Sequence, residues 1–467
     1  MQVPRPTKRI CVIGAGPSGL AALKVLSEST YCRSGTWTVT TFEAREDVGG
    51  IWLPTLPTND PPLTPLYDSL TTNLPHPMMV FTSFPFPHST PLFPSADTVL
   101  AYLKSYVHHF HLSPLIRFNT TVISAKWNDT YWVINISTGE SLLFDHLVVA
   151  NGRFRLPRIP KIPGVENWLS TGRAIHSAWY RRPGNFGRKV LVIGGGFSGN
   201  DISTEVASHA TTVIHSASGA VPAGDEHFKR VGKTLHLYDD GRVLFEGGMV
   251  EDNVDYCILA TGFQLHFPFF GSDFICARPP IPTNPSFHPK LYYPRNHVFP
   301  LAKFLFPLQS HCPTSSLAFM VLPVKVAPLP LAEAQAYAIV RVFADPCSLN
   351  HQEETDRACE RWKKLAEEGA STPDELLERW FTFVGTERWD YLDELSAFAA
   401  ESGDGPGLKV REWEKTMYSE LLVLKEAWRE LERRNEAHEW VDGVGKHDVE
   451  EWVDMMERFL KYAKNKS

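Results

Sequence analysis

Residues 9–19 read RICVIGAGPSG, an apolar run followed by glycines spaced as G-x-G-x-x-G. The apolar run predicts a strand, and residues 20–26 predict the helix that follows. Between a strand and a helix, this spacing is typical of a dinucleotide-binding βαβ unit. Gly14 permits the tight turn, Gly16 lets the backbone approach a pyrophosphate, and Gly19 lets the helix pack closely on the strand.

The residues around this motif complete the unit. The helix N-terminus, which begins at Pro17 and Ser18, offers the positive end of the helix dipole to a phosphate, and the residues after the proline supply unpaired N–H groups. Residues 37–42 predict a β-branched and aromatic strand that ends at Glu43, where a carboxylate can bind ribose hydroxyls. The residues expected to contact this dinucleotide are Gly14, Gly16, Pro17, Ser18, Gly19 and Glu43.

A second motif, GGGFSG at residues 194–199, lies between a predicted strand, 190–193, and a predicted helix, 199–207. It predicts a second dinucleotide site. The residues expected to contact that dinucleotide are Gly194, Gly196, Phe197, Ser198 and Gly199. Two dinucleotide sites in one chain suggest a hydride passed from a nicotinamide to a flavin.

The strand after the second motif, 211–215, ends without an acid. A carboxylate there would repel a 2′-phosphate, so its absence is compatible with NADP(H). From its position, Ser216 is our candidate for binding the 2′-phosphate, with Arg181 or Arg182 as further options. Short basic clusters such as Lys229-Arg230 are interpreted as solvated surface.

A third motif, Ala260-Thr261-Gly262, follows the apolar strand 256–259. Its counterpart, Asn151-Gly152, follows the predicted strand 146–150. Both fit a chain that crosses between two nucleotide-binding domains, which makes Thr261 and Gly262 candidates for contact with a cofactor. An ordinary strand-end turn is the alternative, because short motifs give false positives.

Composition argues against several classes of protein. A chain of 467 residues is too long for one hydrophobic core and suggests two or three domains. The formal net charge of -7 gives no general affinity for nucleic acid. The seven cysteines include no C-x-x-C pair and their number is odd. This argues against a disulfide framework or a zinc site and for a reducing compartment.

Hydropathy gives no sign of export or of a membrane anchor. No apolar leader precedes the first strand, and no apolar run is long enough to cross a bilayer. We therefore expect no signal peptide, no membrane span and a cytoplasmic location.

Two stretches differ in composition from the rest of the chain. The proline-rich stretch 54–94 predicts irregular structure packed over the first domain. From about residue 345, Glu, Lys, Arg and Trp dominate and predict a helical tail. The tryptophans expected to anchor helix packing there are Trp413, Trp428, Trp440 and Trp452.

Further ordered motifs point to a family. They are Gly49-Gly50-Ile51-Trp52, the stretch YDSLTTNLP at 67–75, a signature around His176, and LAEAQA at 331–336. Together with the three motifs above, they resemble the class B flavin-dependent monooxygenases. Within that class the chain is most similar, from about residue 8 to 343, to the N- and S-oxidising flavin-containing monooxygenases of soluble fungal and plant type.

The family signature is Phe-x-Gly-x-x-x-His-x-x-x-Tyr or Phe. Gly172, His176 and Tyr180 match it, whereas Ser170 stands where phenylalanine is expected. Baeyer–Villiger enzymes usually carry tryptophan four residues after the histidine. Here that position is Tyr180, and Trp179 comes one residue early, so the spacing favours oxidation of a heteroatom. For His176 we expect a role in linking two domains and no acid–base chemistry.

The resemblance implies an FAD-dependent NADPH:oxygen monooxygenase. NADPH would reduce FAD, oxygen would add at the flavin C4a carbon, and the retained NADP would shield this hydroperoxide until a soft nitrogen or sulfur of a small molecule takes its distal oxygen. Asn73 carries over as the catalytic candidate, near the reactive edge of the isoalloxazine; the alternative is a turn residue before Leu74-Pro75. The other residues that carry over as cofactor contacts are Gly50, Trp52 and Gln335.

The predicted fold is α/β, with two Rossmann-like dinucleotide-binding domains, the second inserted into the first, and a helical C-terminal region. The predicted boundaries are 1–168 and 300–345 for the FAD-binding domain, 169–299 for the NADP-binding domain and 346–467 for the helical region. The expected partners are O2 and a small-molecule substrate, with no metal and no nucleic acid, and a homodimer is one option for the oligomeric state.

Three alternatives remain open from the sequence. The chain could be a Baeyer–Villiger monooxygenase that acts on a ketone. It could be a flavin- and pyridine-nucleotide-dependent oxidoreductase that does not oxygenate, although such enzymes often use a C-x-x-C pair. It could also be a flavin-binding scaffold or sensor.

Overall fold

A computed structural model of the chain describes residues 8–276, 290–293, 297–309, 311–370, 372–401, 403, 405–407 and 409–466. Contacts between residues divide the chain into two compact units. The first comprises the residues up to Leu53, Thr71–Gly152 and the residues from Phe267 onward, and the second comprises Pro54–Leu70 and Arg153–His266.

The α-helices of the described residues are, in chain order, α1 (Pro17–Glu28), α2 (Thr30–Arg33), α3 (Ala96–His109), α4 (Val165–Ser170), α5 (Phe197–Ala207), α6 (Pro328–Ala344), α7 (His351–Glu367), α8 (Pro373–Trp380), α9 (Glu387–Ala400), α10 (Glu412–Ser419), α11 (Leu421–Arg433), α12 (Ala437–Val441) and α13 (Glu450–Lys466).

The strands are, in chain order, β1 (Lys8–Ile13), β2 (Trp37–Phe42), β3 (Ile116–Arg117), β4 (Val122–Trp127), β5 (Trp132–Ile136), β6 (Ser141–Phe144), β7 (His146–Val149), β8 (Leu156–Pro157), β9 (Ala174–His176), β10 (Lys189–Ile193), β11 (Thr212–Ser216), β12 (Ala223–Gly224), β13 (Phe228–Val231), β14 (Thr234–Leu237), β15 (Val243–Phe245), β16 (Val250–Glu251), β17 (Tyr256–Leu259), β18 (Phe263–Gln264), β19 (Ile275–Cys276), β20 (Leu291–Tyr292), β21 (Leu301–Ala302), β22 (Phe306–Pro307) and β23 (Leu317–Phe319).

The first unit is built on a parallel sheet with the strand order β23-β7-β1-β2-β3. Strand β1 lies at its centre, and Ile10, Cys11 and Val12 are fully buried there. A central parallel strand is covered on both faces, which explains why this strand is an uninterrupted apolar run. Helix α1 follows β1, and α6 packs against α1.

The second unit repeats this plan. Its sheet has the order β12-β13-β11-β10-β17-β9, parallel except at β12. Strand β10 lies between β11 and β17, as β1 lies between β2 and β7. Each unit also carries a three-stranded antiparallel sheet, β4-β5-β6 in the first and β14-β15-β16 in the second. The predicted fold class, with one Rossmann-like domain inserted into another and a helical C-terminal region, is confirmed.

The boundaries of the compact units differ from the predicted domain boundaries. Trp168 is fully buried in the core of the second unit, beside Leu191 and Phe245, so that unit begins before residue 169. At the other end, Phe269 O accepts a bond from the backbone of strand β4 in the first unit. The parts of the predicted NADP-binding domain at 277–289 and 294–296 lie outside the described residues.

The proline-rich stretch is divided between the units. The prediction that all of 54–94 packs over the first domain is wrong for Pro54–Leu70, which belongs to the second unit. The reason is a set of long-range polar contacts, among them the bond from Arg181 to the carbonyl of Thr64. The stretch is irregular as predicted, apart from a 3-10 turn at His76–Met78 and isolated bridges.

The C-terminal helices pack on the remaining part of this stretch, residues 71–94. Met78, Leu92 and Phe93 share a hydrophobic core with residues of α10, α11 and α13. The four predicted tryptophan anchors take part in this core: Trp428 and Trp452 are buried in it, and Trp413 and Trp440 pack against it. The helical region is therefore part of the first unit.

The structure bears on two expectations, one about the cysteines and one about membrane spans. All seven cysteines carry free thiols. Throughout the ranges described above, no helix combines the length and apolarity needed to span a membrane.

Helix α5 is held by two tyrosines of its own unit. Tyr67 donates from its hydroxyl to Asp201 Oδ2 (2.8 Å), and Tyr180 donates to Glu205 Oε2 (2.7 Å). Asp201 and Glu205 are four residues apart, so both carboxylates lie on one face of the helix. The tyrosine rings meet edge to face, with centroids 5.9 Å apart. Through these contacts, two separated sequence motifs are joined to the same helix.

Replacing Tyr180 with phenylalanine should destabilise the second unit by about 1–3 kcal/mol, because the Glu205 carboxylate loses a charge-assisted bond. Urea denaturation followed by circular dichroism measures this change. The control is Tyr256→Phe, since the Tyr256 hydroxyl bonds to none of the described residues. Equal losses in the two variants would show that the bond to Glu205 contributes nothing.

Candidate functional site

The first glycine turn joins β1 to α1. Gly14 has φ +102°, and its N–H donates to Phe42 O on β2 at 2.9 Å. A Cβ on Gly14 would lie 2.6 Å from Ala150 O, and a Cβ on Gly19 would lie 1.9 Å from Gly14 O. Both positions therefore require glycine for the protein's own packing.

The second turn, between β10 and α5, has the same geometry. Gly194 has φ +136° and donates to Ser216 O on β11 at 2.9 Å. A Cβ on Gly194 would lie 2.1 Å from Ala260 O, and a Cβ on Gly199 would lie 1.8 Å from Gly194 O. The structure thus contains the same turn twice.

The middle glycines, Gly16 and Gly196, have a different role. Both cap a helix with ordinary extended backbone, at φ -75° and -81°. A Cβ on Gly196 would meet no described atom within 4 Å, and a Cβ on Gly16 would come no closer than 3.4 Å, to Gly50 Cα. The protein itself does not need glycine here, so the space is open to a diphosphate at the positive end of each helix. The residues at each of the two turns therefore fit the binding of one dinucleotide.

The Gly49–Trp52 segment lies against the first turn. Gly49 N donates to Ala15 O at 3.1 Å, and a Cβ on Gly50 would lie 2.9 Å from Gly16 Cα. The predicted contacts Gly50 and Trp52 are thus brought beside the turn. Pro17 and Ser18 form the first turn of α1.

Glu43 lies beside the same turn, 7% exposed. Its Oε2 accepts a bond from Ala15 N at 2.7 Å, and its Oε1 accepts one from Arg45 N at 2.9 Å. The Arg45 guanidinium in turn donates to Gly50 O and Leu53 O, at 3.3 and 2.7 Å. Sequence reasoning missed Arg45, since no motif spacing includes it.

The prediction for Ser216 is not supported by its contacts. In the register of the two sheets Ser216 pairs with Ile193 as Phe42 pairs with Ile13, so Ala217 stands at the position of Glu43. The Ser216 hydroxyl is buried, donating to Gly232 O at 2.9 Å and accepting from Thr234 Oγ1 at 2.7 Å. The predicted absence of an acid is confirmed. The residue at the position equivalent to Glu43 is Ala217 and not Ser216.

An exposed cation, Arg230, lies near the second turn. Arg230 pairs with His215 in the β11–β13 register, and His215 Nε2 donates to Gly194 O at 2.8 Å. Burial lowers the pKa of His215, and the charge of Arg230 lowers it further. Sequence reasoning interprets this arginine as solvated surface, because only the register places it near the turn. Of the two further options, Arg181 donates to Thr64 O, whereas Arg182 is exposed, with its Nε 3.7 Å from Asp68 Oδ2.

The turns after β7 and β17 resemble each other in backbone conformation. Gly152 and Gly262 have φ +78° and +82°, and a Cβ on either glycine would meet no described atom within 4 Å. Thr261 Oγ1 donates to Arg158 O at 2.6 Å, and Gly262 O accepts a bond from Arg158 N at 2.9 Å. That Thr261 and Gly262 contact a cofactor stays a prediction.

His176 is buried beside the turn after β17. Its Nε2 donates to Gly262 O at 3.0 Å, and its Nδ1 accepts from Ala178 N at 3.1 Å. Burial lowers the pKa of His176 to about 4, so the ring is neutral near pH 7. Both ring nitrogens bond to residues of the second unit, which supports a structural role for His176. These two bonds do not form the expected link between domains.

The departure at Ser170 has a simple structural reason. Ser170 ends α4 and is exposed, and its hydroxyl donates to Asn167 O at 3.0 Å. No core packing depends on a large side chain at this position.

The two remaining predicted residues lie in the first unit. Gln335 is fully buried; its Oε1 accepts from Val321 N at 2.8 Å and its Nε2 donates to the Tyr391 hydroxyl at 3.1 Å. These contacts give Gln335 a structural role, and its contact with a cofactor stays a prediction. Asn73 is half-buried, and its Oδ1 accepts a bond from Lys425 of α11 at 2.9 Å.

Comparison with known sequences identifies relatives of this chain. The family model for flavin-binding monooxygenase-like proteins matches residues 7–223. Flavin-containing monooxygenase FMO GS-OX5 of Arabidopsis thaliana is 33% identical over 56% of this chain and 62% of its own length, which is less than two thirds. The thiol-specific monooxygenase of Saccharomyces cerevisiae is 30% identical over 72% of this chain and 77% of its own length.

A solved structure extends the likeness to nearly the whole chain. The S-allyl-L-cysteine S-oxygenase from Allium sativum is 25% identical and superposes with a TM-score of 0.74 over 97% of this chain and 99% of that one. The likeness therefore includes the C-terminal helices as well as both sheets. On the strength of the duplicated turns and of these relatives, the chain belongs to the flavin-containing monooxygenase family.

Proposed function

We propose that this protein is an NADPH- and O2-dependent monooxygenase that oxygenates a nucleophilic sulfur or nitrogen of a small molecule. The observation that carries the proposal is the repeated glycine turn, with an open helix N-terminus in each unit. The first unit would bind FAD, and the second would bind NADP(H).

For FAD, the proposed contacts are the N-terminus of α1 for the diphosphate and Glu43 for the ribose. Glu43 already accepts two backbone bonds, but each carboxylate oxygen keeps a further acceptor site. When bound, FAD would take a hydride from NADPH and transfer one atom of O2 to the substrate. The protein's part is to hold both dinucleotides, to exclude water and to place hydrogen-bond donors.

For NADP(H), the proposed contacts are the N-terminus of α5, with Gly196 and Ser198, and Arg230 for the 2′-phosphate. Arg230 is exposed and is paired in register with His215, which bonds to the turn, whereas the position of an acid is taken by Ala217. A cation near a strand end that lacks the acid favours the phosphorylated coenzyme.

Sulfur is the preferred atom in this proposal. One relative is named a thiol-specific monooxygenase and the superposed structure is an S-oxygenase. The tyrosine four residues after His176 also favours oxidation of a heteroatom over oxidation of a ketone. A cytoplasmic location is proposed together with this function, since the seven thiols are free.

In a screen of thioethers, amines and ketones, we expect NADPH oxidation that depends on oxygen and yields a product one oxygen atom heavier than the substrate. The balance is NADPH + H⁺ + O2 + substrate giving NADP⁺ + H2O + oxygenated substrate. Oxygen electrode traces and product mass spectra provide the measurement. Esters from ketones, with thioethers unchanged, would identify a Baeyer–Villiger enzyme; NADPH oxidation without any oxygenated product would overturn the proposal.

Replacing Arg230 with alanine should lower kcat/KM for NADPH by about 10- to 100-fold and leave NADH nearly unaffected, because one charged contact to phosphate is lost. Steady-state kinetics with both coenzymes measure the change. Lys229→Ala is the control, since Lys229 is ion-paired with Glu251 at 2.6 Å. Equal effects of Arg230→Ala on the two coenzymes would mean that Arg230 does not bind the 2′-phosphate.

A further inference from the structure

Helix α11 carries a lysine in the middle of its buried face. Leu421, Leu424, Trp428 and Leu431 recur at helical spacing and are buried together with Lys425. Lys425 is only 5% exposed. Burial of an ammonium group is unfavourable unless it is paired, and packing alone would favour an apolar residue here. The charge of Glu432 supplies part of this pairing, and the rest lies in what the ammonium group contacts.

The ammonium group of Lys425 contacts Asn73. Its Nζ donates to Asn73 Oδ1 at 2.9 Å. Because an ammonium group has donors and no acceptor, the amide oxygen and not the amide nitrogen must face it. The contact thus fixes the orientation of the amide, with its N–H donors on the side away from Lys425. Among the residues that the structure describes, none accepts a bond from Asn73 Nδ2.

The backbone on both sides of Asn73 is fixed as well. Thr72 N donates to Pro94 O at 3.0 Å, and His76 N donates to Leu92 O at 2.9 Å. An ordinary Asx turn is closed by the N–H two residues later, and here that residue is Pro75, which has no N–H. The side-chain oxygen of Asn73 accepts instead from a side chain 352 positions away in the chain. The alternative of a simple turn residue before Leu74-Pro75 therefore does not account for the Asn73 side chain.

We propose that Lys425 is a positioning residue that holds the Asn73 amide with its N–H donors presented to the flavin. This inference rests on the proposed function and on the expectation from the family resemblance that Asn73 lies beside the flavin. The positive charge also polarises the amide and strengthens its N–H groups as donors. Through this one bond, α11 becomes part of the site, and the helical C-terminal region is required for productive turnover.

The experiment compares the flavin-loaded wild type with Lys425→Met, Lys425→Arg, Asn73→Ala and the double variant Lys425→Met/Asn73→Ala. Uncoupled turnover follows NADPH + H⁺ + O2 giving NADP⁺ + H2O2, so hydrogen peroxide per NADPH measures the loss of coupling. The absorption spectrum of the resting oxidised flavin is a second readout that needs no turnover. Lys464→Met is the control, since Lys464 is half-exposed and paired with Glu420.

We expect Lys425→Met to raise the ratio of peroxide to product about tenfold, the change that loss of one hydrogen bond in a closed site produces. Its resting spectrum should shift as that of Asn73→Ala does, and the double variant should equal Asn73→Ala because Lys425 acts through Asn73. Lys425→Arg should restore part of the coupling, and Lys464→Met should match the wild type.

Wild-type coupling and an unshifted spectrum in folded, flavin-loaded Lys425→Met would overturn the inference, as would additive effects in the double variant. If Lys425→Met does not fold, Lys425→Gln takes its place in the same comparison. A wild type that oxygenates none of the screened compounds would contradict the proposed function, whereas the resting spectra still test the contact between Lys425 and Asn73.

Discussion

The fold of each unit depends on one steric constraint. It acts where the central parallel strand of the sheet ends and a helix begins. There the carbonyl oxygen of the first glycine occupies the space that a side chain on the last glycine would need. This contact fixes the angle between β1 and α1, and again between β10 and α5. Because the helix must start there, its unpaired N–H groups are presented at the end of the sheet. The proposed sites for both cofactors follow from this constraint.

The two glycine turns have the same backbone geometry but differ in the residue that the neighbouring strand places beside them. Glu43 accepts a bond from Ala15 in the first turn, whereas Ala217 packs against Gly195 in the second, where a Cβ on Gly195 would lie 2.9 Å from that of Ala217. An acid suits free ribose hydroxyls, and its absence near Arg230 suits a phosphate. In the proposed function, the same glycine turn is used twice, and the residue at one equivalent position adapts it to two different dinucleotides.

Local features can be predicted from the sequence, and features set by tertiary contacts cannot. The strand, turn and helix at residues 9–26 are encoded by adjacent residues, and their prediction is confirmed. The register between β10 and β11 places Ala217, and not the predicted Ser216, at the position equivalent to Glu43, and no local pattern gives this register. Trp168 shifts a domain boundary through a core that no local pattern reveals. The pairing of Lys425 with Asn73, far apart in the chain, has no sequence signal at all.

The most direct test of the two dinucleotide sites is to measure bound flavin and NADP⁺ affinity in Gly16→Val and Gly196→Val. An added Cβ makes no contact shorter than 3.4 Å at either position, so we expect both variants to fold. We expect Gly16→Val to lose flavin, and Gly196→Val to keep flavin and lose NADP⁺ binding. If folded Gly16→Val retains its flavin, or if Gly196→Val binds NADP⁺ as the wild type does, the assignment of the two turns is contradicted.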